Sequence, residues 1–166
     1  EIKNVIGNPN GIIVPIGWGE RGAEGMIKAA SYAREDKIPY LGLCYGMQLA
    51  VVAYARDVLG WLNADTTENN SKTKHPVIHL MQSQEVLMKK RAYGGTMRLG
   101  GWKAIVKPNT IAYELYNKYK GFINKATGLT SERHRHRYEF NNKYEEELRN
   151  KGLIISAKSE DEAKAA

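Results

Sequence analysis

Pro39-Tyr40-Leu41-Gly42-Leu43-Cys44-Tyr45-Gly46-Met47-Gln48 is the stretch that decides the reading of this chain. A short apolar run meets the only cysteine of the sequence, and a helix-compatible segment follows. In Gly42-x-Cys44-x-Gly46 the chain must turn from strand to helix within a few residues, which strains the middle residue and exposes its side chain. Glycine on either side removes the β-carbons that would clash. The helix expected over about Met47 to Val58 aims its positive end and free amides at the sulfur, a setting that suits a nucleophile. A free cysteine is otherwise most often a small buried hydrophobe. The flanking glycines and the change of element tip the reading toward a nucleophilic Cys44.

Upstream, Gly11-Ile12-Ile13-Val14-Pro15 is a continuous apolar run that suits a strand buried on both faces of a parallel sheet. A glycine-punctuated loop follows, Gly17-Trp18-Gly19-Glu20-Arg21-Gly22. Apolar residues at Ala23, Met26, Ile27, Ala30 and Ala33 then recur with helical spacing to about Arg34. Strand, helix, strand, nucleophile, helix is the pattern of right-handed βαβ units, whose ligands bind at the carboxyl ends of the strands. The Gly17 loop and Cys44 both lie at such ends and should be neighbours.

Downstream, Asn63 to Ser71 reads as a long polar loop, and Gly94 to Gly101 as a short strand between glycine turns. Ile111 to Tyr119 reads as a tyrosine-rich helix. Arg133 to Phe140 alternates with period two and predicts one strand, histidines on one face and arginines on the other. Asn142 to Lys151 reads as a charged surface helix, Leu153 to Ser156 as the last strand, and Ser159 to Ala166 as a solvated tail.

The 166 residues fit one domain, and a single cysteine cannot form an internal disulfide. No signal segment or apolar run of membrane-spanning length is present, so a cytoplasmic setting without membrane attachment is expected. The net charge of +7 suits anionic ligands. Because the basic residues are scattered among 18 acidic ones, no nucleic-acid stripe results. His134 and His136 on a strand, or His75 and His79, are candidate metal pairs, but no cysteine or carboxylate stands at a fixed spacing to complete a site, so no metal is expected. Trp18, Trp61 and Trp102 read as packing residues, with Trp18 close to the site.

Several blocks in order now carry a resemblance: Pro39 to Ala50, Thr67-Glu68, Lys74-His75-Pro76-Val77, Gly94-Gly95-Thr96-Met97-Arg98-Leu99-Gly100, and Glu132-Arg133-His134-Arg135-His136-Arg137-Tyr138-Glu139-Phe140-Asn141-Asn142. Together they resemble the glutaminase domain of the CTP synthase family, within the class I glutamine amidotransferases. The resemblance implies a flavodoxin-like α/β fold, a central, mostly parallel sheet flanked by helices, with residues 1–166 forming part of the glutaminase domain. It implies that Cys44 forms a glutamyl thioester. Gly17 and Tyr45 would supply the backbone amides of an oxyanion hole, and Trp18, Gln48, Glu68 and Arg137 would meet the glutamine. The residue types agree, since a carboxylate suits an α-ammonium and a guanidinium an α-carboxylate. In the whole enzyme an amino-terminal synthetase domain would use ATP and magnesium to aminate UTP to CTP. GTP as activator and a homotetramer are implied as well.

The chain departs from the pattern in three places. The histidine and glutamate that would complete the triad belong to a segment further downstream, and no histidine follows His136 here. The sequence is therefore expected to lack both that segment and the synthetase half, and to turn over little glutamine on its own. Ile16 stands where the family has a glycine, and a β-branched residue tolerates positive φ poorly. Tyr45 stands where it has leucine, which allows a ring to enter the glutamine pocket. These departures support an alternative, a noncatalytic glutamine-pocket remnant with a binding or scaffolding role; a different class I amidotransferase is a further one.

Overall fold

A computed structural model describes residues 2–80 and 98–164. They fall into two compact units, one drawn from Glu1–Thr96 and Arg137–Lys151, the other from Met97–His136 and Gly152–Ala166.

The first unit opens with a short helix, α1 (Ile2–Ile6), and strand β1 (Ile12–Val14). Helix α2 (Ala23–Glu35) leads to β2 (Tyr40–Gly42), and Cys44 caps α3 (Tyr45–Val58). β1 and β2 pair in parallel, Ile13 opposite Leu41, which is the βαβ arrangement expected from the sequence. β3 (Ala64–Thr66) then pairs in parallel with β4 (His75–Leu80), and β7 (Tyr138–Phe140) joins β4 antiparallel. A 3-10 turn over Asn142–Tyr144 and helix α5 (Glu145–Asn150) close the unit. Its core is α2 and α3 packed together, with Ile27, Ala30, Ala33, Leu49, Val52 and Ala53 buried. Val77, Ile78 and Leu148 are buried in the same unit. Such apolar burial is worth about 1.5–3 kcal/mol per large side chain.

In the second unit β5 (Arg98–Val106) is the centre of an antiparallel sheet, flanked by β6 (Leu129–His136) and β8 (Ala157–Ser159). Helix α4 (Ile111–Lys118) is capped by the Thr110 side chain, which accepts from the Tyr113 N–H, and α6 (Glu160–Lys164) follows β8.

Several sequence expectations are corrected. The run at 11–15 is not buried on both faces: Ile13 is 68% and Leu41 53% exposed, because their shared face carries no covering layer among the described residues. The polar loop at 63–71 begins as strand β3, where Ala64 and Thr66 are fully buried and pairing with β4 overrides polar composition. The strand expected between the glycine turns at 94–101 is the start of a nine-residue strand; its Gly94-Gly95-Thr96-Met97 portion lies outside the described residues. The arginine-histidine run is two strands broken at Arg137, pairing with different sheets. Leu153 to Ser156 is not a strand. Ile154 is exposed, and the ladder begins only at Ala157. The tail forms α6, whose Glu160 pairs with Lys103 at 3.7 Å.

Candidate active site

The elbow is built by exclusion of side chains. Cys44 has φ 53° and ψ −104°, a region few non-glycine residues occupy, and its side chain is exposed. A Cβ on Gly42 would lie 2.5 Å from the Met47 nitrogen, and one on Gly46 would lie 2.3 Å from the Val14 carbonyl oxygen. The first turn of α3 thus rests directly on the backbone of β1. The Leu43 N–H donates to Val14 O at 2.9 Å, and the Gln48 N–H donates to Cys44 O at 3.1 Å. The Tyr40 hydroxyl donates to Gly46 O at 2.8 Å, and burial pushes that phenol up to about 12, so it keeps its proton. The helix begins at Tyr45, two residues earlier than periodicity suggested, because Cys44 itself is the cap.

The Gly17 loop is at the elbow, as the topology required. A Cβ on Gly17 would lie 3.1 Å from Tyr45 Cδ1. The Tyr45 side chain is only 1% exposed and lies against this loop. Its hydroxyl donates to the Gly19 carbonyl at 2.6 Å and accepts from Asn69 Nδ2 at 2.8 Å. Ile16 is not among the described residues with positive φ; in this loop that conformation falls on Gly19 (φ 72°) and Gly22 (φ 79°). A β-branched residue at 16 is therefore free of the strain foreseen for it.

The residues expected to meet glutamine are positioned separately. The Asn69 and Asn70 N–H groups return to Thr66 O at 3.1 and 3.0 Å, and the Thr66 hydroxyl accepts from the Glu68 N–H at 3.2 Å. This turn carries Glu68 to the Gly17 loop, where its Oε1 accepts from the Gly19 N–H at 3.1 Å. Burial raises the Glu68 carboxyl above its ordinary value, opposed by that N–H and by the positive charge of Arg137. Gln48 is buried on α3, and its Nε2 donates to the Tyr138 carbonyl at 2.9 Å, beside Arg137 in the chain. The structure thus places Gly17 against the Tyr45 ring next to Cys44, and ties Glu68 to the same loop through the Gly19 N–H. Gln48 is tied to β7 through the Tyr138 carbonyl, one residue after Arg137.

Trp18 departs from the expectation of packing, being 79% exposed on the loop next to Gly17, whereas Trp61 stacks on His75 at 4.6 Å. Asn69 and Gly19 were missed by sequence reasoning. Both lie in polar or glycine-rich loops with no periodic signal. His134 and His136 share a face, their Nδ1 atoms 3.3 Å apart. His75 and His79 lie on β4. No described group of three or more His, Cys, Asp or Glu side chains is arranged to hold a metal, and no helix among the described residues is long and apolar enough to cross a membrane.

An exposed cysteine thus stands at a strand-to-helix elbow, beside a glycine loop on a βαβ scaffold. The sequence profile described as glutamine amidotransferase class-I matches residues 1–166, and the chain belongs to that family. Similar proteins include CTP synthases. That of Flavobacterium johnsoniae is 46% identical over 160 residues, which are 96% of this chain and 28% of the relative. That of Saccharolobus solfataricus is 51% identical over 159 residues, again 96% of this chain and 28% of the relative. The solved glutaminase domain of Trypanosoma brucei CTPS with bound acivicin superimposes with a TM-score of 0.80 at 38% identity, covering 94% of this chain and 54% of that one. The chain spans little more than a quarter of the length of these curated relatives. Its flavodoxin-like α/β class follows from the family and from the superposition.

Proposed function

We propose that this chain is the cysteine-bearing part of a CTP synthase glutaminase. The observation that carries the reading is Cys44 itself, exposed at φ 53° between two glycines that admit no Cβ. In this reading the Cys44 sulfur attacks the side-chain amide carbon of glutamine. The carbonyl oxygen takes the charge, stabilised by the Gly17 and Tyr45 N–H groups, which are fixed before charge develops. The C–N bond breaks as the nitrogen takes up the proton the thiol gave up and leaves as ammonia, and water then cleaves the thioester, releasing glutamate and returning a proton to the sulfur. Glu68 receives the α-ammonium and Arg137 the α-carboxylate, while Gln48 holds the Tyr138 backbone next to Arg137. Trp18, exposed at the loop, flanks the same substrate.

In the whole enzyme the ammonia would aminate UTP to CTP. ATP and magnesium would act in the synthetase half, GTP would regulate, and the assembly would be a homotetramer. A cytoplasmic setting suits such an enzyme.

The test is trapping with 6-diazo-5-oxo-norleucine, whose ketone oxygen stands where the amide oxygen of glutamine would. Mass spectrometry should find one adduct, on Cys44, slowed by added glutamine. Absence of a glutamine-protected adduct would overturn the reading in favour of a noncatalytic remnant.

The raised Glu68 carboxyl sets a pH dependence. Its folded value lies above the ordinary 4.5, so the fold favours the neutral acid, and the contribution to stability present at lower pH is lost as pH rises through the folded value. Capture of an ammonium needs the charged form and should rise over the same window. Labelling of Cys44 at subsaturating reagent should therefore show an acid limb with its midpoint above 4.5, and Glu68→Gln should remove that limb while slowing the reaction overall. An unchanged limb in Glu68→Gln would assign the titration elsewhere.

A further inference from the structure

Gly19 is held at both of its backbone polar groups by side chains from elsewhere in the sequence. Its N–H donates to Glu68 and its carbonyl accepts from the Tyr45 hydroxyl, at 3.1 and 2.6 Å. The Tyr45 ring lies flush with Gly17, with no room for a freely placed Cβ between them. Asn69 completes the arrangement by donating to the same hydroxyl at 2.8 Å. Of these groups, Tyr45 alone contacts both Gly17 and Gly19, and it is also the first residue of α3.

We propose that Tyr45 is a positioning residue, whose phenol locks the Gly17–Gly19 loop so that the Gly17 N–H is aimed at the substrate oxygen in advance. One residue then supplies one donor of the oxyanion pair through its backbone and fixes the other through its side chain. A leucine in this place would fill space against Gly17 but could not reach a carbonyl with a hydrogen bond, so the lock belongs to chains with tyrosine here. The loop needs it. Gly19 sits at φ 72° and its neighbour Trp18 is 79% exposed, so packing of side chains does little to hold the loop. Burial also raises the phenol above its ordinary value, which keeps the hydroxyl a donor at neutral pH.

The inference rests on the glutaminase reading, and two measurements separate their failures. Tyr45→Phe keeps the ring and the backbone N–H and removes one oxygen. Amide hydrogen exchange on the 166-residue chain should quicken roughly tenfold at Gly17 to Gly19, the loss expected for about one hydrogen bond. Leu49 and Val52 in α3 should not change. Asn69→Ala, which leaves the ring in place, should shift the same amides in the same direction. With 6-diazo-5-oxo-norleucine, the limiting rate of Cys44 alkylation should fall roughly tenfold in Tyr45→Phe, with the half-saturating concentration within about twofold of wild type. Unchanged loop exchange in both variants overturns the proposal whatever the labelling shows. Faster exchange with an unchanged limiting rate also overturns it, because the hydroxyl is then merely structural. If the unmodified chain takes no glutamine-protected label, the glutaminase reading fails first and the proposal falls with it.

Discussion

Gly46→Ala is expected to destabilise the first unit by upward of about 3 kcal/mol and to abolish specific labelling of Cys44. The added carbon would lie 2.3 Å from the Val14 carbonyl oxygen and 2.9 Å from the Val14 carbonyl carbon. No rotamer relieves a clash between two pieces of backbone; either α3 lifts off β1 or the elbow unwinds. Either movement takes Cys44 out of its strained conformation, so stability and reactivity should be lost together. The control is Gly25→Ala in α2, where nothing lies within 4 Å of an added Cβ. There alanine should stabilise by about 0.5–1 kcal/mol through helix propensity alone. Urea midpoints for the two variants should move in opposite directions. A Gly46→Ala chain as stable as wild type would mean that α3 does not rest on β1 as described.

The second large effect concerns turnover. The four histidines of the chain are His75, His79, His134 and His136. His75 is stacked on Trp61, and His134 and His136 face one another. The first two lie on β4 and the other two on β6. In this reading the 166-residue chain should take label at Cys44 yet release ammonia from glutamine about 10²- to 10⁴-fold more slowly than a class I glutaminase with its histidine base in place. The measurement is ammonia release with Cys44→Ala as the blank. Release at the rate of a complete glutaminase would show that a base is already present and would redirect attention to these four histidines.

How much of this was legible in the sequence depends on the range of the signal. The elbow was, because Gly42 and Gly46 are local requirements of the turn and both are visible within a few residues of Cys44. α2 was legible from its period, since a helix buries one stripe regardless of what covers it. β3 was not. It is three residues long, and its burial is imposed by pairing with β4. Alternation in the arginine-histidine run was real, and the two histidines do share a face, but alternation carries no mark of where a strand changes partners. Leu153 to Ser156 misled through composition: Lys107 N–H, just past the end of β5, donates to Ser156 O, and the ladder with β5 begins at Ala157. In the site, the roles expected of Glu68 and Arg137 came from the resemblance, with which their residue types agree. The phenol of Tyr45 was legible only as a departure, since its partners Gly19 and Asn69 are 26 and 24 positions away.

The backbone at Cys44 places chemistry and durability in opposition at a single position. Its φ of 53° is territory in which glycine would rest without penalty. A library of this chain sorted only by heat resistance would therefore drift toward glycine at 44 and discard the thiol while improving the fold. Anyone wishing to harden this scaffold and keep its sulfur must look elsewhere, to open positions such as Gly25, and should read each gain in melting temperature alongside an assay of the thiol.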